Sequence, residues 1–132
     1  MEGTNDLWYV STGTVVDRVR LAIHNIVAAG KTPVIGTLLP DTRGNTNNIK
    51  RIPLTNDGIR RVVASENVLL ADLYTAASFS GWARLMADGL HPNYSGYQLM
   101  ASTWYTALED ILPPPDDPVI GFVPAVWLLL SD

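Results

Sequence analysis

The sequence predicts an α/β fold built on parallel strands, and three observations carry that expectation. Residues 32–39 (TPVIGTLL) and 68–72 (VLLAD) are short apolar runs rich in aliphatic and β-branched residues, the signature of strands buried on both faces. Each run follows a stretch whose apolar residues recur at helical spacing. A third helical stretch closes the series, and the order helix, strand, helix, strand, helix implies parallel strands joined by right-handed crossovers.

Taken in order, Leu7, Trp8, Tyr9 and Val10 lead into a helix starting near Ser11 or Thr14. Val15, Val16, Val19, Ala22, Ile23, Ile26 and Val27 share its apolar face, and Gly30 suits a left-handed stop. His24 lies beside this stripe with no second ligand spaced near it, so it reads as a helix-surface histidine. Between the first strand and the second helix, residues 40–50 hold Asp41, Arg43, Gly44 and three asparagines. This reads as a polar loop at the carboxyl end of a strand, where open α/β sheets carry ligand contacts; a plain solvent loop accounts for it equally well. The second helix is expected over residues 55–66, capped by Thr55 or Asn56, with Ile59, Val62 and Val63 inward and Arg60 and Arg61 in solvent. Residues 73–82 read as a connection through Ser78, Ser80 and Gly81. A final helix runs from Tyr94 or Ser95 to about Leu112, with Tyr97, Met100, Ala101, Trp104, Leu108 and Ile111 on one face. Residues 113–118 (PPPDDP) end it and form a stiff spacer.

The chemistry concentrates in residues 88–97 (DGLHPNYSGY). Pro92 fixes its own φ and biases His91 toward an extended backbone, so Asp88 and His91 fall on an ordered loop just ahead of a helix. There the carboxylate of Asp88 can reach one ring nitrogen of His91 and leave the other facing a cleft. That is the base and orienter of a nucleophilic triad.

A second motif, Gly3-Thr4-Asn5-Asp6, stands near the start of the chain. The pairing of Gly-x-Asn-Asp with Asp-x-x-His-Pro resembles the SGNH (GDSL-type) hydrolase family, over Gly3 to about Leu112. The resemblance implies a flavodoxin-like three-layer α/β/α fold, present here in part, and a serine ester hydrolase. It implies an oxyanion-hole amide at Asn5, an orienting carboxylate at Asp88 and a general base at His91, with Gly3 and Asp6 beside the substrate. It also implies ester substrates such as acylated carbohydrates, lipids or short acyl esters, and no metal or organic cofactor. The Gly-Asp-Ser motif that supplies the family's nucleophile is missing. Ser11, Ser65, Ser78, Ser80, Ser95, Ser102 and Ser131 all lie outside Gly-Asp-Ser and Gly-x-Ser-x-Gly contexts, and Ser95 reads as a helix cap. Residues 1–112 therefore read as the C-terminal part of a hydrolase domain, inactive alone; a non-catalytic binding module derived from that fold is the alternative.

Composition bounds the partners. A net charge of −4 over 132 residues, without a basic stripe, argues against nucleic acid. The absence of cysteine rules out disulfides and thiolate metal sites but leaves the compartment open, with export weakly favoured. Strand edges left unpaired in a partial sheet favour self-association. The tail, residues 119–132 (VIGFVPAVWLLLSD), is too short for a membrane span of roughly 20 residues. Residues 123–128 resemble the opening of a PEP-CTERM type sorting signal, which would bring membrane contact; a strand or helix packed on the domain is the other reading.

Overall fold

The computed structural model describes residues 4–44 and 46–113; Gly3, most of the 113–118 spacer and the 119–132 tail lie outside the described residues. Four helices, α1 (Thr12–Ala28), α2 (Thr46–Glu66), α3 (Leu73–Ser80) and α4 (Tyr94–Leu108), surround two strands, β1 (Val34–Gly36) and β2 (Leu69–Ala71). Single 3₁₀ turns occupy Asp6–Trp8 and Trp82–Arg84. The strands pair in parallel with Val34 opposite Leu69, Ile35 opposite Leu70 and Gly36 opposite Ala71, as the alternation of helix and strand requires.

The two faces of this small sheet bury different cores. Ile35 and Leu70, paired across the ladder, pack with Leu7, Val15, Leu38, Ile52, Ile59 and Val63 from the Asp6–Trp8 turn, α1, the segment after β1 and α2. Gly36 points the other way, where an added Cβ would lie 2.7 Å from the Trp104 ring of α4. On that side Leu39, Leu73, Ala77, Leu85 and Met86 form the second core, with Leu99, Met100 and Trp104 packed against it. Helices thus cover both faces of parallel strands, the three-layer order expected. The strands are shorter than the apolar runs and half-buried, except for Ala71, rather than buried on both faces.

Two expectations about helices are corrected. α2 begins nine residues before Thr55, and Thr55 and Asn56 are buried within it instead of capping it. Its inward stripe is Asn48, Ile52, Thr55, Asn56, Ile59, Val62 and Val63, and this stripe runs straight past Pro53. Asn56 is anchored on the end of β1: its amide accepts from the Leu38 N–H at 2.8 Å and donates to the Leu38 carbonyl at 2.9 Å, doing for that peptide what a third strand would do. Residues 73–80, read as a connection, form α3, capped by Asp72, whose side chain accepts from the Thr75 N–H.

Arg60 also departs from its expected solvent role. Its guanidinium forks onto Asp72 (Nε to Oδ2 2.9 Å, Nη2 to Oδ1 3.0 Å), and Thr37 and Thr75 donate hydroxyls to the same carboxylate. Burial pushes the Asp72 carboxyl up, but Arg60, Thr75 and Thr37 outweigh it and hold the group down at about 2. In α4 the core-facing side carries buried Gly96 and partly buried Leu99, Met100 and Trp104; Tyr97 is exposed, and Ile111, also exposed, lies past the helix, which ends at Leu108 and not near Leu112.

Candidate active site

The loop between the second 3₁₀ turn and α4 is stitched at its base. Met86 and Pro92 form an antiparallel bridge, the Ala87 N–H donates to the His91 carbonyl at 2.8 Å, and the Asn93 N–H donates to the Leu85 carbonyl at 2.8 Å. Asn93 then starts α4: its side chain accepts from the Gly96 N–H at 3.0 Å and donates to the Arg84 carbonyl at 2.7 Å. The cap is therefore Asn93, not Ser95, which is exposed on the helix.

Within the loop Asp88 divides its oxygens. Oδ1 accepts from the N–H groups of Leu90 (2.9 Å) and His91 (2.7 Å), closing the turn, and Oδ2 lies 2.7 Å from Nδ1 of His91. The His91 N–H, then the His91 ring, then the Leu90 N–H hold the Asp88 carboxyl well below the usual carboxylate range. An ionised carboxylate only accepts, so Nδ1 of His91 carries the proton and its N–H donates a hydrogen bond to Asp88. In the neutral ring Nε2 is then the lone-pair nitrogen, on a side chain 67% exposed. An imidazole in this tautomer, on this side of a carboxylate, is equipped to take a proton from a hydroxyl.

The loop tip rests on the segment that follows β1. The N–H of Thr42 (2.7 Å) and its hydroxyl (3.0 Å) both donate to the Gly89 carbonyl. Gly89 has φ +84°, and a Cβ there would come within 2.9 Å of Arg43 Cγ and 3.0 Å of Thr42 Oγ1, so only glycine lets the two segments touch. Residues 40–50, expected as a polar loop that either lines a cleft or is plainly solvated, are loop only up to the start of α2 at Thr46; the meeting of Thr42 with the Asp88 loop has no local sequence signal.

Asn5 is exposed and opens the Asp6–Trp8 turn, its carbonyl accepting from the Trp8 N–H at 3.2 Å. Asp6 faces Arg18 of α1 at 3.4 Å, an ion pair that gives this carboxylate a scaffold contact. Leu7, fully buried, sets the turn into the first core, and Arg51 of α2 donates to the carbonyls of Leu7 and Val10. Four of the described serines have local partners: Ser11 caps α1, and Ser65, Ser78 and Ser102 each donate to a carbonyl of their own helix. Among the described residues no three His, Asp or Glu side chains gather as metal ligands.

Known proteins match this architecture. Residues 1–99 match the GDSL-like Lipase/Acylhydrolase family. A multidomain esterase of Ruminococcus flavefaciens is 33% identical over a 103-residue alignment that takes in 72% of this chain and 12% of that protein. A lipolytic G-D-S-L family protein of Veillonella parvula superposes with a TM-score of 0.70 at 23% identity, covering 83% of this chain and 61% of the other. An acetylxylan esterase of Geobacillus stearothermophilus superposes at 0.66 with 16% identity, over 80% and 56%. At such identities the superpositions establish the fold, and the chain spans little more than half the length of these neighbours. Fold and sequence together define an α/β protein of the esterase and acylhydrolase class. The chain belongs to the GDSL-like lipase/acylhydrolase family.

Proposed function

We propose that this chain carries the base side of a serine ester hydrolase, with His91 as general base, Asp88 as its orienter and Asn5 as an oxyanion donor. The observation that carries the proposal is the 2.7 Å contact from His91 Nδ1 to an Asp88 already fixed by two backbone N–H groups. Convergence of Asn5 with this pair is supported indirectly. Leu7 packs in one core with Leu38, and Thr42 holds Gly89, so both motifs attach to the same short segment at the carboxyl end of β1. Asp6 and Gly3, neighbours of Asn5 in the sequence, are proposed as substrate contacts; Gly3 lies outside the described residues.

In this reading residues 1–112 are the C-terminal part of the hydrolase domain, and the attacking serine lies outside the 132 residues. Substrates are short acyl esters, with acetylated carbohydrates suggested by the acetylxylan esterase among the structural neighbours. Loss of a triad serine costs on the order of 10⁶ in turnover, whereas an oxyanion donor contributes about 10²–10³. The purified chain is therefore expected neither to react with a fluorophosphonate nor to hydrolyse p-nitrophenyl acetate above the buffer rate. Hydrolysis that His91→Ala abolishes would place the nucleophile among the residues present and overturn that part of the proposal. The base itself is tested by ¹⁵N NMR of the His91 ring: a proton resident on Nε2 removes Asp88 from the role of orienter.

A further inference from the structure

The side chains of Asp88 and His91 are 56% and 67% exposed, and a pair so open to water is held only weakly by its own attraction. Its geometry must come from the backbone that carries it. The base of the loop is stitched to residues on either side, but the tip, Asp88-Gly89-Leu90, meets the rest of the molecule at Thr42 and Arg43. Those two residues are fixed in turn by Asp41, whose side chain is fully buried. Its Oδ1 accepts from the Arg43 N–H (3.1 Å) and Nε (3.0 Å); its Oδ2 accepts from Arg43 Nη2 (2.8 Å) and from the Asn48 amide of α2 (2.9 Å). Buried carboxylate, folded-back guanidinium and helix thus lock residues 41–43 into one conformation, and that conformation presents both donors of Thr42 to the Gly89 carbonyl.

We infer that Asp41 is a positioning residue for the base: through Arg43 and Thr42 it grips the Gly89 peptide and so fixes the turn on which Asp88 orients His91. The inference rests on the role proposed for that pair. A buried aspartate with four hydrogen bonds could serve stability alone, so the decisive readout is the state of His91 and not the melting temperature.

The test uses the full chain labelled with ¹⁵N, in mildly alkaline buffer. In the wild type the two ring nitrogens of His91 are expected to give well-separated signals, with the proton on Nδ1. Asp41→Asn is expected to narrow that separation by about half and to speed exchange of the Leu90 and His91 amides about tenfold, as local opening becomes easier. Thr42→Val, which removes one exposed hydroxyl, should produce a smaller change of the same sign, and Thr42→Ser should retain the wild-type signals. His24, paired with Glu66 at 3.0 Å and remote in sequence from the loop, is the internal control and should not respond. If Asp41→Asn does not fold, Thr42→Val decides. Folded variants whose His91 ring signals and loop amides match the wild type would overturn the inference. A wild-type ring protonated on Nε2 is a different result, which defeats the reading of the base itself.

Discussion

Asp72→Asn is the sharpest test of how the scaffold is held. The substitution keeps the shape of the side chain while removing the charge that Arg60, Thr37 and Thr75 all address. In the folded chain the Asp72 carboxyl is lowered from 3.8 to about 2, and that difference corresponds to about 2 kcal/mol of stability. The sign follows from the direction: the folded value lies below the unfolded one, so the stabilisation is complete above pH 4 and is lost as pH falls toward 2. Arg60 keeps a second partner in Asp57 at 2.9 Å, which limits the cost of stranding the guanidinium. Urea unfolding followed by tryptophan fluorescence should show the variant's midpoint lower at pH 7 by roughly 0.7–2 M, for a small domain losing about 1–3 kcal/mol per molar urea. At pH 2 the two midpoints should converge, because the wild-type carboxyl is then substantially protonated. Equal midpoints at pH 7, or a gap of the same size at pH 2, would refute the assignment of this carboxylate as the charged centre of the network.

Other consequences are equally direct. Asn56→Leu leaves the buried N–H and carbonyl of Leu38 without their partners, at about 1–3 kcal/mol for each stranded group, and should lower the urea midpoint more than Asp72→Asn does. Among the described residues each strand of the two-stranded sheet is paired on one side, so the chain is expected to self-associate through its open edges. Sedimentation velocity should show a weight-average coefficient rising with concentration; a concentration-independent monomer with a sharp thermal transition would contradict it.

How much of this was legible in the sequence depended on what each element buries. α1 buries Val15 and Ile23 of its expected stripe, though Ala22 and Val27 of that stripe are exposed, and the strands show as apolar runs that are half-buried apart from Ala71. The first half of α2 has no plain apolar stripe because its inward side includes Asn48, Thr55 and Asn56, polar residues whose burial is licensed by Asp41, by the Arg51 carbonyl of the same helix and by Leu38 respectively. Pro53 lies inside the helix, where burial of Ile52 and Ile59 on either side of it outweighs the lost bond. α3 was missed because Leu73 and Ala77 are its buried residues and Ser and Thr fill much of the rest. The Asp88–His91 contact was legible because it is local, three residues apart and set by Pro92. The grip on Gly89 joins positions 47 residues apart, which no local pattern encodes.

Three carboxylates, Asp41, Asp72 and Asp88, use one device. Each accepts from a backbone N–H two or three residues ahead and so turns the chain: Asp41 from Arg43, Asp72 from Thr75, Asp88 from Leu90 and His91. Each also holds a nitrogenous side chain, Arg43, Arg60 and His91 respectively. The outcome differs with burial and with the chemistry of that partner. Arg43 and Arg60 are 38% and 29% exposed and their guanidinium groups do not give up a proton, so those pairs act as fixed struts. His91 is more open, and an imidazole can both take and return a proton, which is why the proposed base falls on this turn and not on the other two. Two of the three build the carboxyl end of the sheet, and the third, resting on the first, holds the proposed base.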